Sequence, residues 1–347
     1  MTSNAAQMLP QIGWGQKYRL RWKRRRLLWR SWRSQKQLSC LMDRTNTIER
    51  GDILVFTTLR NEITRLPWFF RHYRRLGVDH FLIVDNGSDD QSTEYLLDQT
   101  DVSLWRTHAS YRASRYGLDW LTGLQMRYGS RHWNLMVDAD ELLIYANHDH
   151  RSLHDLTAWL DQQGRAAFGA LMLDLYPKGP LGSQAYDPET DPAKALKWFD
   201  AGPYRTQRQS PAGNLWVQGG VRERMFFTQV RQCSPTLNKI PLVRWSCRYA
   251  FVNSCHSVLP RNLNAAYDGP RGETPSGVLL HTKFLPEIVE KSKIEKQRRQ
   301  HFHDPDQFGP YYDEIINSPD MWTPNSTEYA GWAQLQQMGL MNAGGWE

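Results

Sequence analysis

Three short polar clusters each stand directly behind an apolar run in the first half of the chain. The first is Thr57-Thr58-Leu59-Arg60-Asn61-Glu62, the second Asp85-Asn86-Gly87-Ser88-Asp89-Asp90, and the third Asp138-Ala139-Asp140-Glu141. The third is the sharpest. Carboxylates at i and i+2 leave the same side of an extended chain, so Asp138 and Asp140 can reach one cation directly or through water. Two hard oxygen donors in an incomplete protein cage suit Mg²⁺ or Mn²⁺, with substrate phosphates filling the remaining positions. Carboxylates followed at once by Leu142-Leu143-Ile144 are costly unless something pairs them. Any one cluster alone could be a turn or a helix cap. Three at one edge of a sheet are harder to explain that way.

The elements that must hold these clusters follow a βαβ rhythm. Residues 53–58 form a short β-branched apolar run, read as a buried strand, and an amphipathic helix is expected over 62–76, ended by Gly77. A second buried strand is expected over 80–84, then a helix capped by Ser88 or Asp89 and running to about Gln99. Strands over 102–106, 133–137 and 167–175 follow, with a helix over 116–128 and another opened by the capping-box spacing of Ser152 and Asp155. This order predicts an α/β fold with a mostly parallel sheet flanked by helices. In such a sheet ligands bind beyond the carboxyl ends of the strands, where the three clusters lie. Residues 215–230, 239–245 and 278–284 read as strands or hairpins added to the sheet's edge. From Pro286 a charged helical tail is expected, including a helix over 287–299.

The ordered motifs Arg60-Asn61-Glu62, then Asp85-Asn86-Gly87-Ser88-Asp89-Asp90, then Asp138-Ala139-Asp140-Glu141 resemble the family 2-type glycosyltransferases of the GT-A (Rossmann-like) fold. The likeness is to the bacterial branch whose core reads RNE, DNGSxD and DADE, and it spans residues 53–341. It implies metal-dependent transfer of a sugar from a nucleotide-sugar donor to a glycan or lipid-linked acceptor, with inversion at the sugar. Thr57, Arg60, Asn61 and Glu62 would then lie at the nucleotide, and Asp85 would hold the base or ribose with Ser88 and Asp89 nearby. Asp138 and Asp140 would bind Mn²⁺ or Mg²⁺, with Glu141 as their neighbour and His281 able to complete the metal's shell. Arg222, Arg224, Lys239 and Lys283 are expected to clamp the diphosphate. An inverting reaction needs a general base, for which Glu223 and Asp174 are the candidates, Glu223 first. His256 is a weaker site candidate, and its adjacency to Cys255 does not make a nucleophile, because strand neighbours face opposite ways. A nucleotidyltransferase acting on a sugar phosphate, or a catalytically inactive GT-A interaction module, would share much of this pattern.

Composition bounds the remaining choices. The 347 residues carry 43 Lys and Arg against 36 Asp and Glu, but ten of the cations and none of the acids fall in residues 1–42. Residues 43–347 hold 33 against 36, a net −3, so whole-fold nucleic-acid binding gains no support. Three parts are expected: a basic N-terminal extension (1–42), the GT-A catalytic domain (43–285) and the helical tail (286–347). Within the catalytic domain the nucleotide-sugar half covers about 52–150 and the acceptor half about 151–285. In the extension, Tyr18, Trp22, Trp29 and Trp32 fall near one helical face among arginines, which suits the headgroups of an anionic membrane surface along residues 15–38. No apolar stretch reaches the roughly 18 residues a membrane-crossing helix needs. Cys40, Cys233, Cys247 and Cys255 lack pairing or zinc spacing, consistent with a cytoplasmic protein that is peripheral on the inner face of the cell membrane.

Overall fold

The computed structural model describes residues 9–298 and 309–346. Nine strands build the central sheet: β1 (Ser39–Met42), β2 (Ile53–Leu59), β3 (His80–Asp85), β4 (Val102–Arg106), β5 (Trp133–Met136), β6 (Glu141–Ile144), β7 (Ala167–Asp174), β8 (Asn238–Arg244) and β9 (Ser276–His281). Their order is β1-β4-β3-β2-β5-β8-β7-β9-β6. The run β4-β3-β2-β5 is parallel, as is β7-β9, whereas β1, β6 and β8 run the other way. The chain is therefore mixed α/β with a mostly parallel sheet flanked by helices.

Strands with no polar face explain why both faces are covered. In β2, Ile53 and Val55 join one core with Phe69, Phe70 and Tyr73 of α2 (Leu66–Arg75), while Leu54 and Phe56 join a second with Trp120 and Leu124 of α4 (Leu118–Arg127). The first core also takes Leu96 of α3 (Ser92–Leu97) and Leu153, Leu156 and Leu160 of α5 (Leu153–Gln162). Outside α4 lies α1 (Trp14–Ser34). The Ser152 capping box forms as expected, its Oγ accepting from Asp155 N.

Several boundaries differ from expectation for local reasons. Helix α2 starts at Leu66 beside Pro67, after a turn in which Arg65 N and Leu66 N donate to Glu62 O. Helix α3 is capped by neither Ser88 nor Asp89: Ser88 is spent on Asp85, and Asp89 on Asn61 and Arg60. Residues 215–230 are not one strand. Leu215–Gly219 pairs with Tyr204–Arg208 in a separate hairpin, and α6 (Gly220–Phe226) begins where Gly219 and Gly220 take φ of 141° and 70°, conformations that end a strand. Strands β8 and β9 are interior, not edge additions: β8 inserts between β5 and β7, and β9 between β7 and β6.

The tail is more than a solvated helix. From α7 (Ile288–Arg298) and α8 (Gly309–Ile316) the side chains of Ile288, Tyr311 and Ile315 enter the first core, and from the residues after α8 so do those of Leu335, Leu340 and Trp346. The expected end of the tail helix at Arg299 lies outside the described residues. The N-terminal segment likewise contributes to the domain, since residues 39–42 are the sheet's edge strand beside β4.

Candidate active site

Strands β3 and β4 lie on one side of β2 and β5 on the other, so the chain switches direction across the sheet between β2 and β5. That is where a ligand crevice is expected in an open α/β sheet. A cleft of about 700 Å³ opens there, lined by the residues after β2, the loop after β5, the 232–236 segment, the end of β9 and the start of the tail.

The loop after β5 delivers both paired carboxylates. Asp138 and Asp140 line the cleft, as do Glu141, Lys239, Lys283, Arg222 and His281. Lys239 Nζ sits 2.7 Å from Glu141 Oε1 and 3.2 Å from Asp138 Oδ2. Burial pushes the Glu141 carboxyl up to about 7, against the pull of the Lys239 ammonium. Asp140 Oδ2 meets His281 Nε2 at 3.1 Å, and His281 Nδ1 reaches Asp174 Oδ1 at 2.5 Å. Burial disfavours the charged imidazole, but the two carboxylates raise His281 above its ordinary value. Burial alone would raise Asp140; His281, then Arg65 and Lys283, holds it well below the carboxylate range instead. Asp174 is also lowered, by Arg222 and His281 against burial.

Two cations retain unused donors. Arg222 bonds Asp174 through Nε at 2.8 Å, while its buried Nη2 has no partner. Lys283 lines the cleft with an ammonium that makes no ion pair among the described residues. Burial lowers its pKa, and Arg222 adds to that. Asp138 and Asp140 bring hard carboxylate oxygens, the donor type a divalent cation takes, to the cleft. No closed cage is formed: among the described residues no group of three or more His, Cys, Asp or Glu side chains is placed to hold a metal ion.

The expected donor residues divide. Arg60, Asn61 and Glu62 line the cleft, but Thr57 is buried and its neighbour Thr58 takes the lining position. Glu62 is held by Arg65 at 2.8 Å and by Lys291 at 2.9 Å. Asp85, Ser88 and Asp89 do not line the cleft. Asp85 is fully buried, its carboxylate accepting from Ser88 N, Ser88 Oγ and Thr93 Oγ1. Asp89 instead clamps the loop after β2: Asn61 Nδ2 donates to Asp89 Oδ1 and Asp89 N donates back to Asn61 Oδ1. Arg224 is turned away, bonded to Asp200 and to Met321 O.

Neither expected base presents a free carboxylate. Asp174 is held between Arg222 and His281, and Glu223 lies on α6 rather than a strand, gripped by Arg205 at 2.5 and 2.7 Å. Glu223 Oε2 also accepts from Ser234 Oγ, and Ser234 lines the cleft where Glu223 does not. His256 lines it too, with Nδ1 turned to Asn238 O. Sequence reasoning missed Arg65, Tyr111 and Trp216. Arg65 carries a readable signal, three residues after Glu62 at helical spacing; Tyr111 sits in an irregular turn and Trp216 on the Leu215–Gly219 hairpin strand, and neither carries such a signal.

No protein-family model matches the chain, and no relative is found among curated proteins. Among solved structures, the mannosyltransferase PcManGT from Pyrobaculum calidifontis in complex with GDP-Man and Mn²⁺ is 17% identical, with a TM-score of 0.28. That match covers 46% of this chain and 44% of the other. A 4-diphosphocytidyl-2C-methyl-D-erythritol synthase is 14% identical, with a TM-score of 0.25, covering 41% of this chain and 66% of the other. The chain thus spans less than two thirds of either structure.

Proposed function

We propose that the protein is a metal-dependent glycosyltransferase that moves a sugar from a nucleotide-sugar donor to a glycan or lipid-linked acceptor. The observation that carries this reading is the pairing of unlike charges in one cleft at the switch point. Arg222 and Lys283, with unspent donors, stand beside Asp140, so a diphosphate and a divalent cation would neutralise each other's partners. On this reading Asp138, Asp140 and His281 hold Mn²⁺ or Mg²⁺. A bound divalent cation supplies Lewis-acid stabilisation of the departing nucleoside diphosphate.

The chain's own residues then have distinct tasks. Asp174 fixes the His281 ring through Nδ1 and leaves Nε2 facing the Asp140 carboxylate. Lys239 neutralises Glu141 and part of Asp138, and Lys283 with Arg222 Nη2 takes the phosphate oxygens. Trp216 gives the lining an aromatic face against which a sugar can pack. For inversion, either candidate base must exchange its guanidinium before taking a proton. Glu223 has the shorter route, because its partner Ser234 already lines the cleft.

The test is turnover of nucleotide sugars, chosen by metal-dependent thermal stabilisation, with and without Mn²⁺ or Mg²⁺. Asp138→Asn and Asp140→Asn should each lower donor hydrolysis or transfer by at least about a hundredfold. Full activity in a chelator, or in both variants, overturns the metal assignment. Pyrophosphate release from a sugar phosphate and a nucleoside triphosphate would replace this reading with a nucleotidyltransferase. Nucleotide-sugar binding without turnover would leave the inactive interaction module.

A further inference from the structure

Helix α1 presents two unlike faces. The inner one buries Leu27, Ser31 and Ser34. It is fastened to α4 and the segment before it: Arg30 pairs with Asp119 at 2.9 Å and donates to Ala113 O at 3.0 Å, and Gln35 Nε2 donates to Trp120 O at 3.1 Å. The outer face carries Trp14, Tyr18, Trp22, Trp29 and Trp32, between 53% and 86% exposed. At 3.6 residues per turn these five rings fall within an arc of about 80°, opposite the buried stripe. Arg21, Arg25 and Arg33 lie within or beside the same arc, and Arg25 and Arg33 stand 5.9 and 4.7 Å over the Trp22 and Trp29 rings.

An aromatic patch of this size on a fixed helix marks an interaction surface. Its chemistry selects the partner. Trp and Tyr are amphipathic rings that settle at headgroup depth, and the cations beside them meet anionic phosphates. The helix has no acidic residue, whereas residues 43–347 carry a net −3, so an anionic surface attracts this face and repels the rest. Because α1 is already folded and docked, binding carries no cost of forming the helix.

We propose that α1 is an interfacial helix that seats the protein on an anionic lipid bilayer, its aromatic stripe at the level of the headgroups. The segment beneath it, residues 111–121, supplies Tyr111, Tyr116 and Leu121 to the cleft. On the glycosyltransferase reading, on which this consequence alone rests, the acceptor is carried by the same membrane.

The test is co-sedimentation of the full chain with phosphatidylcholine vesicles, with and without phosphatidylglycerol. Binding is expected to the anionic vesicles, weakening as salt rises. Trp22→Ser with Trp29→Ser, and separately Arg25→Gln with Arg33→Gln, should each weaken it, the arginine pair by roughly 30-fold. All four positions are on the outer face, so unchanged melting temperatures will show that the fold is intact. Equal binding by the variants, or salt-insensitive binding to neutral vesicles, overturns the proposal. So does tighter binding to single-stranded RNA than to anionic vesicles, or a tryptophan variant that changes only self-association. Sedimentation needs no turnover, so failure of the glycosyltransferase assay leaves this result standing, and the reverse also holds.

Discussion

Two lysines in the cleft stand in opposite states of engagement. Lys239 is almost fully buried and locked to Glu141 and Asp138, whereas Lys283 has no ion pair among the described residues. Truncating them should therefore have different consequences. On the proposed reading, Lys283→Ala removes a charge-assisted donor to phosphate, worth about 1.5–3 kcal/mol, and breaks no ion pair among the described residues. The expected outcome is a ~10–100-fold loss of affinity for a free nucleoside diphosphate by calorimetry, with the unfolding midpoint unchanged. Lys239→Ala leaves a buried Glu141 carboxylate uncompensated, a change that costs about 3–5 kcal/mol when one partner of a buried pair is removed. It should appear first as lost stability in denaturant. Unaltered nucleotide affinity in a folded Lys283→Ala protein would remove Lys283 from the phosphate site.

The loops after β2 and β3 act as one element, because Asn61 and Asp89 exchange hydrogen bonds and Asn61 N donates to Ser88 Oγ at 3.0 Å. Asn61 sits at φ 55°, which asparagine tolerates better than most residues. Behind this clamp Asp85 satisfies three donors, so Asp85→Ala should destabilise the fold by about 3 kcal/mol or more, as read by urea unfolding. Wild-type stability with lost nucleotide binding would instead return Asp85 to direct donor contact. This clamp marks the limit of what could be read from residue types. The motifs announce loops at strand ends, and the apolar runs of β2, β3, β4, β5 and β7 announce the strands, because continuous burial leaves no polar face. Which motif residues face the cleft and which grip each other depends on side-chain partners 28 positions away, as Asn61 and Asp89 are. The interior places of β8 and β9 were equally hidden, since pairing order is set by long-range packing. The strand-to-helix change at Gly219-Gly220 had a local signal, the glycine pair, which the apolar residues around it masked.

At the scale of the molecule, the two cores on either side of the sheet differ in what they bury. The core under α2 includes a histidine: His72 is 3% exposed, and its Nε2 lies 3.0 Å from Leu143 O on β6. A carbonyl only accepts, so Nε2 carries the hydrogen and donates, tying a helix of the outer layer to the sheet's far edge. Burial foremost, then His148 and Arg75, pulls its pKa from 6.5 down to about 3. The sign of the consequence follows from linkage. Between about pH 3 and 6.5 the unfolded chain binds a proton at this position that the folded chain does not. Stability is therefore fully present above pH 6.5 and falls as the pH drops below it, by up to about 1.4 kcal/mol per pH unit from this residue. His148, lowered to about 4 by burial, acts in the same direction. Carboxylates held low, such as Asp140, lose their contribution only below the ordinary carboxylate range. Glu141, raised to about 7, opposes the histidines over the interval from pH 6.5 to 5, because there the folded chain holds a proton that the unfolded chain does not, so the contribution of His72 is read as a difference between two proteins. His72→Gln retains an N–H for Leu143 O and removes the titrating group. Its urea-unfolding free energy should fall less steeply over that interval than the wild type's, by up to about 1.4 kcal/mol per pH unit. Parallel slopes for the two proteins would mean that His72 is protonated in the folded state and is not buried as a neutral donor.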